Sequence, residues 1–144
     1  MDLKQPSLNG CPVAHGLSMV GDAWSALILR DAYAGLTRFD QFRRSLGIAP
    51  TMLTRRLSAL TGDGLLEKRL YSERPPREEY VLTEAGRDFL PVLVMIGAWA
   101  QRHSGADLAR LIDETTGLEI QPIVVDAVSG ERFGSRPIRT SVRS

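Results

Sequence analysis

Between residues 50 and 82 the apolar period of the chain changes from that of a helix to that of a strand, and this change most limits the folds open to it. Leu53, Leu57 and Leu60 fall at i, i+4 and i+7 and make a narrow stripe on a helix expected from Pro50 to about Thr61. Thr51, Thr54, Arg55 and Ser58 then project from the opposite side. Arg56 sits on the flank, where its stem covers core while its head reaches outward. From Leu66 the period is two: Leu66, Lys68 and Leu70 alternate with Glu67, Arg69 and Tyr71, and Tyr80 and Leu82 resume the pattern. The tip between them, Ser72 to Glu78, carries Arg74, Arg77 and the stiffening pair Pro75 and Pro76, and is too charged to bury. The segment reads as one helix followed by a β-hairpin.

Three further helices are expected ahead of it. The first covers roughly residues 11 to 19, with Pro12 in its first turn, and Gly21 closes it. Asp22 is the expected N-cap of a second, about 23 to 34, whose stripe is Trp24, Leu27, Ile28 and Ala32 and whose end is Gly35. In "TRFDQFRRSLG", Thr37 is the expected N-cap, Asp40 a capping-box acid, and Phe39, Phe42 and Leu46 one face, with Gly47 as a left-handed stop. Two short helices joined by a tight turn, the second with a leucine edge and a Thr/Arg/Ser outer face, describe a helix-turn-helix. On this segment alone an ordinary surface helix of a bundle fits equally well. The hairpin that follows decides for a winged helix, a mainly α fold with a β-hairpin wing (α+β).

Charge agrees with that fold. The chain nets +1, yet residues 38 to 77 hold nine basic side chains against four acidic ones, leaving +5 there and −4 elsewhere. Sixteen of the eighteen basic residues are arginine, the side chain suited to bidentate phosphate and guanine contacts. A charge cluster is more often a solvated face than a binding site, so the charge counts only together with the fold beneath it. On a winged helix, Thr51, Thr54, Arg55, Arg56 and Ser58 are the candidates for the major groove. Arg69, Arg74 and Arg77 are the candidates for the backbone or minor groove.

The stretch from Cys11 to about His103 resembles the HxlR family of winged-helix bacterial transcriptional regulators. The marks are the CPV start at Cys11, Gly21 with Trp24, "LTRFDQFRR", "LTRRLSAL", "DGLLEKR", the P-P-R wing with its E-Y strand, and "LTEAGR" opening a long helix. Each is weak alone; together and in order they are specific. The resemblance implies a homodimeric repressor or activator on a palindromic double-stranded operator, without enzymatic activity or cofactor. The family often has serine before the recognition-helix proline, where this chain has Ala49. The missing N-cap side chain should cost about 1 kcal/mol and one phosphate contact.

A helix from Thr83 to about Arg102, kinked near Pro91, carries more apolar residues than one amphipathic face needs. The resemblance assigns this helix, with the first, to a dimer interface formed by Leu90, Leu93, Val94, Met95 and Trp99; an intramolecular core is the other reading. Residues 11–103 are expected to form the DNA-binding and dimerisation domain. Residues 104–144 are expected to form a small C-terminal β extension, over about 108 to 142, with a partly disordered end. Thr116-Gly117 and Ser129-Gly130 are its turn signals. Some relatives have a cysteine-bearing, zinc-ribbon-like tail here; this one has neither cysteine nor histidine, so no metal is expected.

Cys11 is the single cysteine, which excludes an internal disulfide and fits a reducing cytoplasm. In some HxlR-type regulators a cysteine at the start of the first helix senses oxidants or electrophiles; a helix start favours the thiolate, although a lone cysteine is more often a packing residue. His15 lies one turn on, but two ligands make no structural zinc site, and His103 falls near a helix end. No catalytic constellation, phosphate loop, signal peptide or membrane-spanning run is present in the sequence. Two functions remain open: a sequence-specific DNA-binding regulator, with a redox or small-molecule effector, or a winged-helix protein-interaction or ligand-binding module.

Overall fold

The computed structural model describes residues 8–141. They fall into two compact units, one ending at Leu90 and the other beginning at Pro91. In the first unit α1 (Pro12–Val20) starts at Cys11, whose Sγ accepts the N–H of Ala14 at 3.4 Å. α2 (Ala23–Tyr33) is capped by Asp22, whose carboxylate accepts the N–H of Ser25 at 2.9 Å and its hydroxyl at 2.6 Å. Its buried residues are Ser25, Ile28, Leu29 and Asp31, while Trp24, Leu27 and Ala32 are half-buried. The expected stripe was too narrow because α2 touches α1, α3, α4 and the hairpin, and a helix with neighbours on several sides buries a wide arc.

α3 (Phe39–Leu46) is capped at Arg38 rather than Thr37. Counting three from Arg38 gives Gln41, and its Oε1 accepts the N–H groups of Thr37 at 2.9 Å and Arg38 at 3.0 Å. Asp40, the acid expected to close that box, instead sits exposed in the first turn. Phe42 is fully buried, and Gly47, with φ of 62°, turns the chain back. α4 (Pro50–Gly62) follows within three residues and buries Leu53, Leu57 and Leu60 completely. This is the leucine edge legible in the sequence, and it fixes the roll of α4.

β1 (Leu66–Glu73) and β2 (Pro76–Leu82) pair antiparallel, with Leu66 opposite Leu82 at the base. The strands run further toward the tip than expected, leaving only Arg74 and Pro75 as the turn. The register shifts between Leu70 and Ser72, so Tyr71 is the extra residue of a β-bulge. α5 (Glu84–Asp88) then closes on the hairpin base. A side chain at Gly86 would fall inside the contact distance of the Leu65 carbonyl oxygen.

The continuous helix expected from Thr83 is broken at Phe89, and α6 (Leu90–His103) begins anew. Pro91 lacks the N–H that would bond to the carbonyl of Arg87. That carbonyl accepts the Tyr33 hydroxyl at 2.9 Å instead, a hydroxyl shared with the carbonyl of Gly86.

In the second unit α6 buries only Ala98. Leu111 covers Gly97, and the Gln101 side-chain amide donates to Ala109 O at 2.7 Å. Beyond this the chain builds one turn twice. Asp113 accepts the N–H groups of Thr115 and Thr116, Gly117 N–H donates to Asp113 O, and Ile112 pairs with Glu119. Asp126 accepts those of Val128 and Ser129, Gly130 N–H donates to Asp126 O, and Val125 pairs with Arg132. The C-terminal β element thus consists of two bridged turns rather than continuous strands, because Asp-x-x-Thr/Ser-Gly satisfies each turn locally. Of the end expected to be partly disordered, residues 142–144 lie outside the described residues.

Candidate nucleic-acid interface

With the leucine edge of α4 inward, Thr51, Thr54, Arg55 and Ser58 are all exposed on its outer side. Thr54 Oγ1 donates to Pro50 O at 2.9 Å, which leaves the hydroxyl oxygen able to accept. Arg55 has no ion-pair partner among the described residues, which leaves its guanidinium as the charge of this face. The N-cap position is Ala49, with no side-chain cap hydrogen bond, as its identity requires.

Arg56 departs from the outward reach expected of it. Its Nε lies 3.4 Å from Asp22 Oδ1, and its side chain is about one-third exposed. The pair lacks hydrogen-bond geometry but ties α4 to the start of α2. Burial pushes the Asp22 carboxyl up, yet the hydrogen bonds from Ser25 and the Arg56 charge outweigh it, so Asp22 titrates below the usual 3.8. The sequence could not place this guanidinium because Asp22 is distant along the chain.

On the wing, Arg74 at the turn and Arg77 are exposed and have no ion pair among the described residues. Arg69 is exposed but lies 3.2 Å from Glu67 Oε2. Lys68 and Glu78 pair across the strands at 3.0 Å, and the hydrogen bond that Lys68 donates to Glu78 raises the lysine above its usual value. Two further residues belong to this surface and carried no signal as a pair. Arg38, at the start of α3, stacks over the bulged Tyr71 with its guanidinium carbon 4.2 Å from the ring centre.

Of the candidate dimer residues on α6, Leu90 and Trp99 are exposed, Trp99 by 62%, and Leu93, Val94 and Met95 are half-buried. Val92 and Ile96 are exposed beside them, and Val13 and Leu17 are exposed on α1. Among the described residues there is no group of three or more side chains able to hold a metal, and no helix is long and apolar enough to cross a membrane.

A helix-turn-helix with a basic hairpin wing defines the class: a DNA-binding transcriptional regulator. The model of the HxlR-like helix-turn-helix family matches residues 19–107, and the chain belongs to that family. It is 37% identical over 133 residues to the uncharacterized HTH-type transcriptional regulator Rv3095 of Mycobacterium tuberculosis, covering 90% of this chain and 84% of that one. Among solved structures it is similar to PA1607, a candidate transcription factor, with a TM-score of 0.82 and 36% identity, across 98% of this chain and 99% of the other. The reduced form of the redox regulator HypR is similar at a TM-score of 0.61 and 33% identity, over 65% of this chain and 94% of that one.

Proposed function

We propose that the protein is a cytoplasmic, non-enzymatic homodimer that recognises a palindromic operator, with α4 in the major groove and the wing on the backbone or minor groove. The observation that carries this reading is the roll of α4. Three fully buried leucines leave Thr51, Thr54, Arg55 and Ser58 together on the opposite face. Arg55 offers the guanidinium for a guanine edge, the threonines and Ser58 supply hydroxyl and methyl contacts, and Arg74 and Arg77 neutralise phosphates. Dimerisation accounts for the apolar residues left exposed on α1 and on α6, which a solvated surface would not favour. Two reading helices must then match successive major grooves, roughly 34–36 Å apart. Residues 11–103 carry both tasks in this reading, and residues 104–144 are an appended β extension.

Selection of duplexes from a random pool by the purified protein tests this directly. An enriched palindrome with half-sites about one helical turn apart is the expected result. Enrichment of no motif, with weak binding that vanishes at moderate salt, would overturn sequence-specific recognition.

A redox effector acting at Cys11 is the regulatory reading that one observation favours. The thiol stands at the N-cap of α1, half-buried, with its sulfur accepting the Ala14 N–H. The similarity to a redox regulator points the same way.

A further inference from the structure

We propose that the cleft between the start of α3 and the bulged edge of the wing is a phosphate clasp for the DNA backbone. Arg38, Arg44 and Arg77 supply its charge, and Tyr71 holds its shape. This rests on the DNA-binding reading above and adds a contact region outside the outer face of α4.

The cleft has a volume of about 420 Å³, and its lining includes these four side chains together with Asp40 and Glu78. Its two walls are joined. The backbone N–H of Tyr80 on β2 donates to Thr37 O at 2.7 Å, so the wing is fastened to the residue before Arg38. The bulge puts Tyr71 out of the strand ladder, where its ring meets the face of the Arg38 guanidinium at 4.2 Å. A guanidinium stacked by its face keeps its N–H edge for a bidentate anion, and the stacking removes much of the rotamer freedom it would lose on binding.

The charges in the cleft are unbalanced. None of the three arginines has an ion pair among the described residues, and Arg44 gives only its Nε to Asp40 O, at 3.3 Å. Glu78 is held by Lys68, so Asp40 alone opposes the three. The N–H groups of Thr37 and Arg38, just ahead of α3, are already taken by Gln41. The unpaired guanidinium groups are the charges that an anion entering the cleft would meet. Planar forks set on two different elements suit the phosphates of one backbone strand passing between them, and they carry no base readout.

The test uses the full chain, the selected duplex and a scrambled duplex, with affinity measured over a series of salt concentrations. Arg38→Ala and Arg44→Ala should each weaken both duplexes by the same factor and flatten the plot of log affinity against log salt by about one unit. Tyr71→Leu should weaken both duplexes with little change of slope, and Tyr71→Phe, which keeps the ring, should bind as the parent does. Parent affinity and parent slope for Arg38→Ala, in a series where Arg55→Ala loses operator preference, would overturn the clasp and leave the reading helix intact. Absence of any salt-dependent duplex binding by the parent would overturn both.

Discussion

Asp22 holds two helices at once: one carboxylate caps the start of α2 through Ser25 and faces Arg56 of α4 at 3.4 Å. Because the proposed reading face lies on α4, this surface contact would help set how that face is presented. The folded carboxyl titrates below its ordinary 3.8. A depressed folded value means the stabilisation is present above the unfolded pKa and is lost as pH falls through the folded one. Asp22→Asn retains a capping oxygen but no longer titrates, so its melting temperature should fall less than the parent's between about pH 5 and pH 3. Parallel acid profiles for the two proteins would remove Asp22 from this role. Asp22→Ala should cost about 0.5–2 kcal/mol at neutral pH, most of it from the lost cap.

Gly86→Ala should be among the most damaging single substitutions in the first unit. The new methyl would press on the Leu65 backbone carbonyl, which cannot move without shifting the hairpin base. An overpacking loss of about 1–3 kcal/mol is expected, read as a lower urea midpoint at unchanged slope. A parent-like midpoint would mean that α5 separates from the hairpin freely.

The opposite sign is expected at the start of α4. Ala49 has the extended backbone of an N-cap, with φ −63° and ψ 138°, but no side chain to accept from the helix. Ala49→Ser should therefore raise stability by about 1 kcal/mol, seen as a higher melting temperature. It also adds a hydroxyl where the start of α4 would approach the backbone, so tighter binding to both operator and scrambled DNA is expected.

What the sequence made legible follows from how local each determinant is. The leucines of α4, the Gly47 stop and the hairpin alternation each act within one or two turns, so their pattern alone fixes the helix-turn-helix and the wing. Gln41 in place of Asp40 turned on a single-residue shift of the cap, the usual margin of error at a helix end. The buried arc of α2, the Asp22–Arg56 pair and the Arg38–Tyr71 stack depend on which elements meet in space, and no period encodes that. The repeated turns at Asp113 and Asp126 were readable, since Asp-x-x-Thr-Gly and Asp-x-x-Ser-Gly share one hydrogen-bond scheme. Their final Thr-Gly and Ser-Gly pairs mark the turns, and the leading aspartates supply the acceptors.

On the proposed reading face, Arg55→Ala should cost about 1–3 kcal/mol on the selected operator and relax preference at one base position. Competition between operator and scrambled duplex separates this from a loss of general affinity. Equal losses on both would make Arg55 a phosphate contact, and no loss would assign the reading to another face.

The last prediction concerns Cys11. The thiol lies at the cap of α1, so adding an oxidant-derived group there would disturb the first turn and the Ala14 N–H it satisfies. If α1 contributes to the dimer, that disturbance tilts the protomers and spoils the spacing that two successive major grooves require. Treatment with diamide, or with a quinone as electrophile, should therefore weaken operator binding by the parent and leave Cys11→Ser unaffected, and a thiol reductant should restore binding after diamide. Equal responses of the two proteins would exclude the thiol as the sensor. A parent that changes its mass on treatment but keeps its affinity would mean that Cys11 reacts without regulating.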